Sequence, residues 1–137
     1  MQLQEVETIS RNDRTILKGK PALLFQNELA ANEKIGLNGA IVLQQLHYWI
    51  EQNRKKNRGF NDGRYWVYNT YDNWTAQFPF WSKSTVERIF SDLKKLGVVL
   101  TGKYNKSGFD QTLWYTIDYD KLMELIGKKG TDAAKKE

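Results

Sequence analysis

Apolar residues recur at helical spacing in two stretches of this chain and at strand spacing near its end. Val86, Ile89, Phe90, Leu93 and Leu96 fall at three- and four-residue steps, the spacing of one helix face. Gly97 follows the last of them, where a left-handed residue closes a helix. Ser82 stands ahead as the preferred N-cap, with Trp81 and Val86 placed as a hydrophobic staple. Ser84, with Glu87 three residues on, is a rival capping box. Just upstream, Tyr71–Phe78 is predicted as a shorter helix, capped by Thr70 and ended by Pro79, with Trp74 and Phe78 on one face. Short helix, corner and longer helix fit a helix-turn-helix, and equally an ordinary helical hairpin packed for stability.

A second stripe, Val42, Leu43, Leu46, Trp49 and Ile50, predicts a central core helix from Gly39 to about Asn53, capped by Asn38. Before it, Asn27 caps a helix running to Ile35 with Gly36 as its stop, and Leu23-Leu24-Phe25 suits a short strand. Residues 1–20 are polar and read as an extended arm or a weak hairpin around Asn12-Asp13. Residues 53–63 are predicted as a loop, and Arg64–Asn69 as a strand. After Gly97, Val98–Tyr104 and Phe109–Ile117 are predicted strands joined by the turn signal Asn105-Lys106-Ser107-Gly108. Asp118 caps a last helix, Tyr119 to Ile126, ended by Gly127.

A β-hairpin straight after the second helix tips the balance towards a winged helix-turn-helix. The expected fold is α+β, with central helices, a small antiparallel sheet and a β-hairpin wing. The arm would occupy residues 1–20, the winged-helix domain 21–126, and a basic, disordered tail 127–137.

Composition adds bounds. A chain of 137 residues, 40% hydrophobic and 27% charged, suits one packed domain. It has no Cys, so no disulfide or thiolate metal site can form, which fits a cytoplasmic setting. No run of about 18 apolar residues occurs, and the first residues lack the apolar core of a secretory signal. The net charge of +5 favours a polyanion partner. The tail's four lysines against two acidic residues hold +2 of it and leave +3 for the body, so charge location matters more than charge.

Catalytic chemistry finds no purchase. His47 is the single histidine, on the central helix, and is read as a core residue bonded to a backbone carbonyl. No phosphate-binding Gly-x-x-x-x-Gly-Lys-Ser/Thr loop, no metal-ligand cluster and no Ser-His-Asp set is present. The chain is therefore read as a binding module, with no catalytic residue, cofactor or metal.

The outward side of the second helix then becomes the candidate interface. Ser84, Arg88, Ser91 and Lys95 lie opposite the apolar stripe, at spacings of four, three and four. Lys83, Ser84, Thr85 and Arg88 would meet bases or phosphates first, and Arg88 can fork onto guanine. Lys103 and Lys106 flank the wing turn and suit phosphate contacts, which position without reading sequence. Arg54, Lys55, Lys56 and Arg58 are the densest basic cluster, either a solvated loop or a further phosphate contact. Glu87 and Asp92 make the helix face mixed, and Asp92 is spaced to pair with Arg88. Double-stranded DNA is the favoured partner, and docking onto protein by the same scaffold is the rival.

The motifs LQQLHYW, RYWVYNT, FPFWS and the NKSGFD turn, within roughly Leu23–Leu122, resemble the DnaD-like winged-helix replication proteins of Gram-positive bacteria, their phages and mobile elements. That resemblance implies a replisome organiser or replication initiator, often oligomeric, which recruits helicase-loading machinery. Larger members carry a second, helical C-terminal domain, whereas here the winged helix is followed by a short basic tail. In DnaD itself the winged-helix part is linked chiefly with self-association, so an oligomerisation module stays open beside DNA binding, as does a transcriptional regulator.

Overall fold

The apolar stripe from Val42 to Ile50 lies on the longest helix of the fold. The computed structural model describes residues 4–5 and 21–127. Its elements, in chain order, are β1 (Gln4–Glu5), β2 (Pro21–Ala22), α1 (Asn27–Ala31), α2 (Gly36–Lys55), β3 (Phe60–Asn61), β4 (Arg64–Tyr65) and β5 (Val67–Tyr68). There follow α3 (Tyr71–Ala76), α4 (Lys83–Lys95), β6 (Val99–Gly102), β7 (Trp114–Ile117) and α5 (Tyr119–Leu122), which runs into a π-helical turn, Met123–Gly127. The class is α+β.

Three antiparallel strands in the order β5-β7-β6 form the main sheet, with Val67 opposite Tyr115 and Val99 opposite Ile117. The helix α2 packs on β7, β5 and α4, while α3 packs on α4. Val42, Leu43, Leu46 and Ile50 of α2 meet Val86, Ile89, Phe90 and Leu93 of α4 in one core with Trp74, Phe78, Tyr115 and Ile117. Burying side chains of this size stabilises the fold by roughly 1.5–3 kcal/mol each. Rings join α3, α4 and the sheet: Trp74 lies 5.2 Å from Phe90, and Phe90 5.2 Å from Tyr115. A buried polar clamp sets α2 against the end of α3. Gln45 Nε2 donates to Gln77 Oε1 at 2.6 Å, and Trp49 Nε1 donates to the same oxygen at 3.0 Å.

The caps of the two corner helices are those the sequence predicts. Thr70 Oγ1 accepts from Asn73 N, and Ser82 Oγ accepts from Thr85 N, so Ser82 rather than Ser84 caps α4. Gly97 has φ +83°, the left-handed closure a Cβ disfavours.

Five readings of the sequence differ from the structure. The first helix stops at Ala31 rather than Ile35, because Asn32 Oδ1 accepts from Lys34 N and Ile35 N and turns the chain. The central helix therefore starts at Gly36, and Asn38 lies inside it. Arg64–Asn69 is two strands rather than one. Arg64–Tyr65 folds back on Phe60–Asn61 through a two-residue turn, Asp62-Gly63, both at positive φ, so the end of the expected loop is one arm of a hairpin. Leu23-Leu24-Phe25 is not a strand, and the strand expected from Phe109 begins only at Trp114. The pairing of β1 with β2 fits an arm that folds back, and the turn expected at Asn12-Asp13 lies outside the described residues, as does the tail beyond Gly127.

Candidate functional site

Helix α4 presents its polar side outward because its apolar side is spent on the core. Val86, Ile89, Phe90 and Leu93 are buried, whereas Ser84, Arg88 and Lys95 are exposed and Ser91 is half-buried. At 1.5 Å per residue, Ser84 and Lys95 stand about 16 Å apart along the axis. Arg88, Lys95 and Lys106 make no ion pair among the described residues, and the Arg88–Asp92 pair that the spacing permits is not formed. These three cations remain available to an outside anion.

Other predicted contacts are engaged within the fold. Lys83 Nζ lies 2.9 Å from Asp72 Oδ1 in the first turn of α3, and that hydrogen bond holds its ammonium above the usual lysine range. Both groups are exposed, so the pair adds little stability, but it ties the first turns of α3 and α4 together. The Thr85 hydroxyl is half-buried and accepts from Ser82 Oγ at 3.0 Å, so it belongs to the cap rather than to a reading face. Lys103 Nζ donates to Gln111 Oε1 at 2.7 Å, bracing the hairpin loop.

The basic cluster splits likewise. Arg54 and Lys55 lie in the last turn of α2, where cations favour the helix C-terminus. Arg54 pairs with Glu51, whose carboxyl is held below the usual range by that hydrogen bond. Arg58 Nε reaches Asn53 Oδ1 at 3.4 Å, while Lys55 and Lys56 are exposed and unpaired among the described residues. His47 is half-buried, and its Nδ1 lies 2.7 Å from the Tyr119 hydroxyl, not against a backbone carbonyl. Burial pushes the Tyr119 phenol up. Among the described residues no group of three or more His, Asp or Glu is placed to hold a metal, and no helix is long and apolar enough to cross a membrane.

Two features escape the sequence reading. The loop between β6 and β7 is built by its own side chains and carries Phe109, 97% exposed, at its tip. Asp110 and Thr112 hold the signal, since an Asp that accepts from the backbone two residues on makes a turn, not a strand. The second is a groove of about 500 Å³ between α2 and the sheet, lined by Trp49, Val67, Tyr68 and Trp114 with Asn53 and Arg58 at its edge. It depends on a contact across the sequence that no local pattern reveals.

Compared with protein-family models, with characterised proteins and with solved structures, the chain matches none of them.

Proposed function

We propose that this chain is a non-catalytic winged-helix protein that binds double-stranded DNA. The observation that carries this is the order α2-β5-α3-α4-β6-β7, with sheet order β5-β7-β6 and unpaired Arg88 and Lys95 on the open side of α4. In such an arrangement α4 is the recognition helix and the β6–β7 hairpin is the wing. Arg88 would face base edges in the major groove, while Lys95 and Lys106 neutralise phosphates. The DnaD-like motifs support a setting in the initiation of phage, plasmid or chromosomal replication, in the cytoplasm, with a helicase loader as a partner. The test is an amide-shift map of the labelled protein titrated with duplex DNA. Shifts clustered on Ser84–Lys95 and on the hairpin loop are expected; their absence from both contradicts the proposal.

A second reading, docking or self-association on the same scaffold, is favoured by the groove of Trp49, Tyr68 and Trp114. Aromatic side chains with an Arg at the edge are the common anchors of protein interfaces. Sedimentation of the chain without DNA separates the two: a concentration-dependent dimer that Trp49→Ala dissolves favours docking. A transcriptional regulator would instead prefer a palindromic site with half-sites about one helical turn apart.

A further inference from the structure

We infer that Phe109 is a wedge that enters a base step of duplex DNA from the minor groove while α4 occupies the major groove. The inference rests on DNA binding as proposed above, and adds to it a residue that touches bases by stacking.

The ring is 97% exposed, on a loop with little freedom to hide it. Asn105 Nδ2 donates to the carbonyls of Asp110 and Thr112, both at 2.8 Å, and its Oδ1 accepts from Trp114 Nε1 at 2.7 Å. Ser107 Oγ accepts from Phe109 N itself at 3.1 Å. Asp110 Oδ1 accepts from Thr112 N and Oδ2 from the Tyr68 hydroxyl, both at 3.0 Å, while Gln111 Nε2 donates to the Gly108 carbonyl at 2.9 Å. A loop bonded this way keeps its ring in water rather than folding it onto the sheet. A rigid aromatic anchor also loses little entropy on binding.

The surroundings choose the occupant. Lys106, Ser107, Gly108 and Gln111, its neighbours along the loop, are exposed, so the ring is an apolar tip among polar residues. Protein docking sites use clustered apolar anchors, whereas the slot between two base pairs takes one flat ring, and Phe is among the side chains proteins insert there. Lys106, three residues earlier on the same loop and exposed, can serve the flanking phosphate. Phe109 and Asp110 line an open groove whose other wall includes Thr70 and Tyr71, next to Asp72, which pairs with Lys83 of α4.

The experiment titrates the full chain into a duplex carrying 2-aminopurine beside a flexible TA step, and compares Phe109→Ala and Phe109→Trp. The wild-type chain is expected to raise 2-aminopurine emission as the step unstacks. Phe109→Ala is expected to bind with the same salt dependence but leave emission flat. It should bind a duplex with a mismatch at that step roughly tenfold more weakly than wild type, since stacking there is no longer offset by unstacking. Phe109→Trp is expected to restore the emission rise. An equal rise with Phe109→Ala, or wild-type binding without a rise, overturns the wedge and leaves DNA binding intact. A wild-type dimer that Phe109→Ala dissolves, with emission unchanged between the two, assigns the ring to a second copy instead. Failure of the wild-type chain to bind any duplex overturns DNA binding and the wedge together.

Discussion

Asn105 joins three parts of the hairpin loop through one amide, bonding the carbonyls of Asp110 and Thr112 and the indole of Trp114. Its replacement by Ala leaves a part-buried indole N–H and two carbonyls without that partner. A loss of about 1–3 kcal/mol in urea unfolding is expected, with Trp fluorescence shifted to the red as Trp114 gains water. Asp110 adds a pH dependence to the same loop. Its carboxyl is held below the ordinary value by the Thr112 backbone N–H, then by the Thr112 side chain and the Tyr68 hydroxyl. A lowered folded-state value means the contribution is present above the unfolded pKa of about 3.9 and is lost as pH falls through the folded value. The loop is thus expected to hold unchanged through neutral pH and loosen only in acid. Following the Thr112 amide shift on acidification should give a midpoint below about 3.9, and Asp110→Asn should remove it. In the core, Trp74→Ala takes away a fully buried ring between Phe90 and Tyr115. A loss of about 3–5 kcal/mol is expected from denaturant midpoints at constant slope.

The helix α4 stands on two end signals that can be removed separately. Ser82→Ala deletes the acceptor for Thr85 N and should destabilise the chain by roughly 1 kcal/mol. Gly97→Ala places a Cβ at φ +83° with only ordinary contact to Lys121, so its cost of about 1–2 kcal/mol comes from backbone strain rather than collision. Thermal unfolding followed by circular dichroism checks both. These ends were legible because they are local: a hydroxyl before an apolar stripe and a glycine after it need nothing from the rest of the fold. Elements whose signal is short or mixed are less legible. The dipeptide Asp62-Gly63 is a strong hairpin signal, yet the strands it joins have two residues each and are hidden between basic and aromatic runs. The alternation of Leu113, Tyr115 and Ile117 predicts a strand from Phe109, but β7 starts only at Trp114 because Asn105 and Asp110 hold the backbone before it in a loop. Of the candidate site, the exposure of Ser84, Arg88 and Lys95 followed directly from the stripe. That Lys83, Lys103 and Arg54 have partners within the chain did not, since Asp72 and Gln111 reach them through the fold and Glu51 through a side-chain choice on the helix surface.

Seen whole, the molecule carries a mild positive charge whose unpaired members include Arg88 and Lys95 on α4 and Lys106 on the hairpin. Glu51 and Asp72 pair with Arg54 and Lys83 at the surface, so the positive charge offered to a polyanion is smaller than the sequence implies. DNA affinity should therefore be modest and rest on few phosphate contacts. The direct measurement is the affinity of the chain for duplex DNA across a range of salt, beside a variant with Arg88→Ala, Lys95→Ala and Lys106→Ala. Each phosphate contact contributes about 0.9 to the slope of log K against log salt. Binding that weakens with salt in the wild-type chain, and a slope shallower by roughly 2 in the variant as the phosphate contacts of Lys95 and Lys106 are lost, is the expected result. Equal slopes for the two proteins, or no binding at low salt, would contradict the account.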